Sequence, residues 1–345
     1  MKTSVALCTY NGEQYLREQI ESILSQSIPP DEIVICDDKS KDSTIEILMD
    51  YKRKYPNIFK IHKNEINLGF IKNFEKSISL CSGDIIFLSD QDDTWHKDKI
   101  LKFLKVFQAN PDCSYVFSNA KAVDGNGKEL GYTLWENIKF DTDAQKQFTE
   151  DNQRKILLRH NVVQGAAMAI RSNVKQIVLP FPKQFFHDHW IALTLSMAYN
   201  NPGVLLKEPL LNYRIHSNQS LGLDTKKNSW IKRKYVTFCN QLSIHTEEFS
   251  NRIIKLEALN NQLSNLKIIP KENKEYIIGL IYFYKTRNKM YTVNKIERYK
   301  LIIKLLKNGY YTKYSHSNLV AFKEMFEKII LHGKIMPQIH ADKRG

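Results

Sequence analysis

Residues 84–93 read DIIFLSDQDD, an apolar run that ends in three carboxylates, Asp90, Asp92 and Asp93, around a single glutamine. A short apolar run bounded by turn residues suits a buried strand. Like charges this close repel one another, and burying a carboxylate without a partner is costly. The acids therefore belong either to a solvated turn or to a place where a cation sits. Which of the two holds depends on what lies beside them.

Outward from this stretch the first 120 residues alternate strand-like and helix-like segments. SVALC (4–8), EIVICDD (32–38), IFKIHK (58–63), DIIFLSD (84–90) and SYVFSN (114–119) read as strands. Between them YLREQIESILSQS (15–27), DSTIEILMDYKRKY (42–55), GFIKNFEKSISLC (69–81) and HKDKILKFLKVFQ (96–108) carry apolar residues at helical spacing. Repeated βα units predict a parallel sheet with right-handed crossovers, and chemistry at the carboxyl ends of its strands. Four such ends can be read: Thr9-Tyr10-Asn11, Asp37-Asp38, His62 to Asn67, and Asp90 to Asp93. Polar and acidic clusters at several ends of one sheet converge on one crevice.

Beyond residue 120 the pattern loosens. DGNG (124–127) predicts a hairpin turn, and residues 132–150 an irregular polar insertion. AAMAI (166–170) reads as a strand, DHWIALTLSMAY (188–199) as a helix, and GVLLKEPLLNYRIH (203–216) as two short strands. Helical periodicity dominates from about 225, with a break at Pro270. The chain is therefore expected to hold two domains, 1–222 and 223–345.

The net charge of +14 over 345 residues is not evenly spread. Residues 226–345 hold 24 Lys and Arg against 9 Asp and Glu, whereas the first 225 hold 27 against 28. Segments such as WIKRKYVTF and KIERYKLIIKLLKNGYYTKY are basic, aromatic and amphipathic. They suit anionic lipid headgroups or nucleic acid, or simply form a solvated helical face. No run of ~18 apolar residues occurs, so no transmembrane helix is expected, and the N-terminus lacks signal-peptide character. Cys8, Cys36, Cys81, Cys113 and Cys239 are odd in number and lack metal spacing, as in reduced, mostly buried thiols of a cytosolic protein.

No GxGxxG follows the first strand and no GxxxxGK[ST] occurs, which argues against a dinucleotide cofactor and a P-loop. An acidic turn in their place suits a metal-bridged diphosphate, because Mg²⁺ or Mn²⁺ takes carboxylate oxygens on one side and phosphate oxygens on the other.

The segments SVALCTYNGEQYLREQIESILSQS, EIVICDDKSKDST, NLGFIKNFEKSISLCSGDIIFLSDQDD, QGAAMAI, FFHDHW and LLNYRIHSNQSLG, in this order, resemble a family 2 glycosyltransferase, most closely the bacterial rhamnosyltransferase-like enzymes of surface polysaccharide synthesis. The resemblance covers roughly residues 2–222. It implies an α/β, Rossmann-like GT-A domain with a mostly parallel sheet flanked by helices. The basic α-helical C-terminal region stands outside it. It also implies an inverting enzyme that uses a UDP- or dTDP-sugar and a divalent metal, Mn²⁺ or Mg²⁺. Carried over residue by residue, Thr9, Tyr10, Asn11, Asp38, Asn67, Gly69, Lys72, Asp90, Gln164 and Gly165 would bind the donor. Lys72 would offset diphosphate charge, although the family often has Arg there. Asp92 and His216 would hold the metal, and Asp93 would cap the following helix.

Asp188 would be the general base. Its competing role is a helix cap, and His187 stands where the family often has an acid. His189 and Trp190 would line the acceptor side. The acceptor would be a glycan, lipid-linked, at the inner face of the cytoplasmic membrane, which would place the protein in the cytoplasm as a peripheral membrane enzyme with no nucleic-acid partner. A homodimer through the C-terminal helices is open to the sequence. The alternatives are a nucleotidyltransferase, or a nucleic-acid-binding protein that uses the basic tail.

Overall fold

The computed structural model describes residues 1–217, 219, 241–315 and 318–332. Thr3–Thr9 (β1) and Glu32–Asp37 (β2) bury every residue. Strands without polar alternation are what a parallel sheet covered on both faces requires. Phe59–Lys63 (β3) and Ile85–Ser89 (β4) complete the parallel set, ordered β3-β2-β1-β4. The crossovers are the helices Leu16–Leu24 (α1), Thr44–Lys54 (α2) and Phe70–Leu80 (α3). Each buries one stripe: Leu16, Ile20 and Ile23 on α1, Ile47, Leu48 and Tyr51 on α2, and Phe74 and Ile78 on α3.

After β4 come Thr94–Trp95 (β5), Lys99–Ala109 (α4), Tyr115–Val123 (β6) and Glu129–Thr133 (β7). Met168–Arg171 (β8) runs antiparallel to both β4 and β6. Gly203–Arg214 (β9) pairs with β6 in parallel and with β5 antiparallel. The nine-stranded sheet is thus parallel through its first four strands and mixed beyond them. The DGNG turn joins the β6–β7 hairpin as expected, with the Asp124 amide bonded to the Lys128 carbonyl.

Three expectations are corrected here. Residues 203–214 form one long strand, not two. Its register against β6 shifts between Leu206 and Pro209, because proline has no ladder N–H to give and the chain bulges around it. Residues 132–150 are not irregular: they hold short helices, Leu134–Asn137 (α5) with a capping box from Thr133 and Glu136, and Thr142–Gln147 (α6). Asp93 caps no helix, since Asp98 occupies the N-cap of α4 and Asp93 is bonded to β9 instead.

Three helices follow in this unit: Gln153–Leu157 (α7), Lys175–Val178 (α8) and His187–Ala198 (α9), the last with ten of its twelve residues buried.

The chain divides into two compact units, Met1–Thr225 with Leu266–Pro270, and Lys226–Asn265 with Lys271–Gly345. The second is helical in its described residues: Gln241–Ser264 (α10), Lys271–Met290 (α11), Lys295–Lys307 (α12), Tyr310–Ser315 (α13) and Leu319–His332 (α14). The break at Pro270 falls between α10 and α11. The interior packs Phe249, Leu256 and Leu259 with Ile277, Phe283, Ile302, Leu305 and Tyr311. Buried Glu324 accepts from Arg287 Nε at 2.7 Å and from Tyr311 Oη at 2.5 Å. No helix among the described residues is long and apolar enough to cross a membrane. Cys8, Cys36, Cys81 and Cys113 are buried and unpaired. Cys239, the WIKRKYVTF segment and the expected boundary at 222/223 lie outside the described residues.

Candidate active site

The register of the parallel strands brings their acidic tips to one edge. Thr9 pairs with Asp37, and Leu7 with Ser89, so TYN, DDK and DQDD leave the sheet side by side. A cavity of about 610 Å³ opens there. Its wall includes Thr9, Tyr10, Asn11, Asp38, Asn67, Gly69, Asp90, Asp92, Gln164, Gly165, Asp188 and His216. Twelve candidates drawn from seven separate stretches of chain meet around one space.

Much of their hydrogen-bonding capacity shapes the wall. The Thr9 hydroxyl donates to Asp37 Oδ2 at 2.9 Å, and Asp37 also accepts from the Ser40 amide at 3.0 Å. Asp38 accepts from Asn64 Nδ2 at 2.8 Å and from the amides of Leu68 and Gly69 at 2.7 and 2.9 Å. A carboxylate offers about four lone-pair sites, so about one remains on Asp38 for a ligand. Gly69, at φ 77°, starts α3 in a conformation that side chains resist. Tyr10 is 44 % exposed and free to stack, while Asn11 Oδ1 accepts from the Lys41 amide.

Gln91 ties the first strand tip to the acidic turn. Its Oε1 accepts from the Tyr10 amide at 2.8 Å and its Nε2 donates to the Tyr10 carbonyl at 3.0 Å. A Cβ on Gly12 would fall 2.2 Å from Gln91 Oε1, so this glycine leaves the room that the clamp needs.

Two buried cations brace the acidic turn through its backbone and its surroundings. Arg214, 3 % exposed, donates its amide to Asp93 Oδ1 at 3.0 Å, its Nε to the Asp92 carbonyl at 2.8 Å and its Nη1 to the Gly125 carbonyl at 3.0 Å. It also pairs with Glu18 and lies over the Tyr15 ring. Lys99 is fully buried, donates to the Ala166 carbonyl at 2.6 Å, and sits 3.9 Å from the Trp95 ring centre. Burial pulls its ammonium down to about 7, opposed by Asp93 and Asp90. Burial pushes Asp90 and Asp93 upward, and mutual repulsion with Asp92 adds to it.

Asp92 Oδ2 and His216 Nε2 lie 2.8 Å apart, with the His216 ring against Tyr15. Two ligands on neighbouring corners of an octahedral ion, each at ~2.1 Å, are ~3.0 Å apart. The pair therefore fits a Mg²⁺- or Mn²⁺-sized ion. Among the described residues no group of three His, Cys, Asp or Glu side chains is arranged to hold a metal.

Asp188 stands in the first turn of α9, whose N-cap position belongs to Phe186. Its Oδ2 accepts from the Gly165 amide at 3.0 Å and its Oδ1 from the His189 amide at 2.5 Å. Burial raises it to about 6, against the pull of those bonds and of Asn161. Its neighbour His187 is buried, stacks on Phe74 at 4.0 Å, and has no partner on either ring nitrogen. Burial drives His187 down to about 3, so it is neutral at any working pH. A Cβ on Gly165 would lie 2.4 Å from His187 Nε2, so the glycine admits the ring.

Three candidates do not reach the cavity. Lys72 donates to Glu75 at 2.7 Å and to the Phe181 carbonyl at 3.0 Å, which ties α3 to the segment before α9 and spends its charge there. Trp190 is fully buried, its indole N–H given to the Val178 carbonyl at 2.7 Å. His189 Nε2 is bonded to the Leu157 carbonyl at 2.7 Å. One turn of α9 cannot point three successive side chains the same way, and only Asp188 and His187 face the cavity.

Sequence reasoning missed Lys99, Arg214 and Gln91. Two of them left a signal. Lys99 falls on the apolar stripe that continues through Phe103 and Phe107, and Arg214 shares strand parity with buried Leu210.

The family model described as "Glycosyl transferase family 2" matches residues 4–178, just over half of the chain. It ends before Asp188. The "dTDP-rhamnosyl transferase RfbG" of Shigella flexneri is 26 % identical over 316 residues, covering 88 % of this chain and 99 % of that one. The "Poly(ribitol-phosphate) beta-glucosyltransferase" of Bacillus spizizenii is 30 % identical over 129 residues, 37 % of this chain and 20 % of that one. Among solved structures, S. aureus TarS 1-349 in complex with UDP-GlcNAc superimposes with a TM-score of 0.56 at 17 % identity, covering 96 % of this chain and 89 % of that one. That last likeness speaks for the fold. None of these matches favours a nucleotidyltransferase or a nucleic-acid-binding protein.

Proposed function

The chain belongs to glycosyl transferase family 2 and is a glycosyltransferase, and on that premise we propose that it moves a sugar, with inversion, from a UDP- or dTDP-sugar to a hydroxyl of a lipid-linked glycan in bacterial surface polysaccharide synthesis. The observation that carries this reading is a single cavity lined at once by Asp188 and by the strand tips at Thr9, Asp38, Asp90 and Asp92. The similarity to a dTDP-rhamnosyl transferase over nearly the whole chain supports the donor class, as does a structural neighbour solved with UDP-GlcNAc.

Tyr10 stacks on the nucleobase, and the remaining acceptor capacity of Asp38 takes a base N–H or a ribose hydroxyl. Asn67 and Gly69 shape the wall beside it. Asp90, Gln164 and Gly165 border the sugar. Asp92 and His216 would hold a divalent cation, which when bound would neutralise charge on the leaving nucleoside diphosphate. Asp188 accepts the proton of the acceptor hydroxyl as its oxygen attacks the anomeric carbon. The new C–O bond forms as the bond to the diphosphate breaks, and one in-line displacement inverts the centre. With a pKa of about 6, Asp188 is ionised at neutral pH yet basic enough to take the proton. The acceptor places the enzyme in the cytoplasm against the inner membrane face.

The test is nucleoside diphosphate release from a panel of UDP-, dTDP- and GDP-sugars with Mn²⁺ and an extract of lipid-linked glycans. The reading expects turnover with one UDP- or dTDP-sugar, lost on chelation. Release only from a GDP-sugar, or undiminished turnover in Asp188→Asn, would overturn it.

A further inference from the structure

The second unit presents a surface that its own packing does not explain. On α12 the residues Arg298, Ile302 and Leu305 are buried. The opposite face carries Ile296 and Ile303, 71 % and 45 % exposed, with exposed Lys300, Lys304 and Lys307 beside them. At 3.6 residues per turn these five fall within about 100° of arc. On α11, Ile278 and Tyr282 are 56 % and 37 % exposed, and Lys289 continues their stripe. The two faces adjoin: Lys304 Nζ lies 5.7 Å from the Tyr282 ring, and Tyr282 packs against Tyr310 of α13 at 5.3 Å. Three isoleucines and a tyrosine thus stand in water on one basic surface, with Glu297 near Lys300 at 4.0 Å.

We propose that this α11–α12 face lies on an anionic membrane surface, with Ile278, Ile296 and Ile303 at the headgroup–acyl boundary and the lysines against lipid phosphates. Apolar side chains ringed by lysines, with an interfacial tyrosine, match the chemistry of that boundary. Charge complementarity selects it over other occupants. A second copy of the chain would set lysines against lysines. A nucleic acid would satisfy the lysines and leave the isoleucines exposed. An anionic bilayer satisfies both. The proposal deepens the reading of a lipid-linked acceptor and rests on that reading for its purpose.

The test is co-sedimentation of the full chain with vesicles of phosphatidylcholine alone, or with phosphatidylglycerol added at one part in four. Wild type is expected to bind the anionic vesicles in a salt-dependent way and to ignore the neutral ones. Lys300→Gln/Lys304→Gln/Lys307→Gln should weaken partition by about 100-fold. Ile296→Ser/Ile303→Ser should weaken it at least about tenfold with the charge unchanged. All five substitutions fall on exposed positions, and nucleotide-sugar turnover without vesicles should stay at the wild-type rate. Equal binding to both vesicle types, or variants that bind like wild type, would overturn the proposal. So would duplex DNA retention as tight as vesicle binding with the isoleucine variants unaffected. Vesicle binding by a protein that turns over no nucleotide-sugar would instead defeat the enzymatic reading and leave this surface standing.

Discussion

Asp188→Asn should make the protein more stable while it abolishes transfer. Burial raises Asp188 from 3.8 to about 6. A carboxyl whose folded pKa lies above its unfolded value binds more protons in the folded state, so folding stability falls as pH rises from about 4 to about 6 and stays reduced above that. A displacement of about two pH units amounts to ~3 kcal/mol at neutral pH. Asparagine removes this penalty. It also turns an NH₂ group toward one of the two amides, Gly165 or His189, that Asp188 accepts, which costs ~1 kcal/mol or more. The net gain at pH 7.5 is then about 1–2 kcal/mol, or roughly 3–6 °C in Tm for a unit of this size. At pH 4.5 Asp188 is mostly protonated and the advantage should vanish. The assay is thermal unfolding of both proteins across pH 4.5–8, alongside transfer rates expected to fall by about 10³ or more. A variant no more stable than wild type at pH 7.5, or a Tm difference that ignores pH, would refute the reasoning.

Other expectations follow from the same geometry. The acid limb of wild-type kcat/KM should break near pH 6, with about a tenth of the plateau left at pH 5, and Asn161→Ala should move that limb upward; a limb near pH 4 in the wild type would contradict it. Gly12→Ala should cost about 1–2 kcal/mol by displacing Gln91 from Tyr10, and less than additively when joined to Gln91→Ala; denaturant titration of the double-mutant cycle reads this. Arg214→Lys should remain destabilised by about 3 kcal/mol, because one ammonium cannot serve the Asp92 and Gly125 carbonyls and Glu18 together. Trp190→Phe should lower Tm and leave the acceptor KM unchanged, since the indole N–H serves the Val178 carbonyl and not the cavity.

The parallel half of the fold was legible because its strands are short, apolar at their centres and cleanly separated by amphipathic helices. The acids at their tips then pointed to one cavity, at the strand ends where a parallel sheet opens. The mixed half was harder to read. Nothing local in Gly203–Arg214 says that a strand continues through Pro209, because continuity there depends on β6 and on β5 across it. The candidates that lie outside the cavity do so for a shared reason. Lys72, His189 and Trp190 lie next to cavity residues in sequence, but a helix turns each neighbour by about 100°. Lys99 and Arg214 escaped because they bond backbone carbonyls of neighbouring loops, and such bracing shows only once the fold is known.

The account depends most on one ion shared between Asp92, His216 and a nucleoside diphosphate. Mn²⁺ titration followed by electron paramagnetic resonance, with UDP or dTDP present, measures it directly. One Mn²⁺ bound per chain in wild type, with affinity reduced at least about tenfold in Asp92→Asn and in His216→Ala, is the expected result. Nucleotide binding of equal strength with and without Mn²⁺, unchanged in both variants, would contradict it.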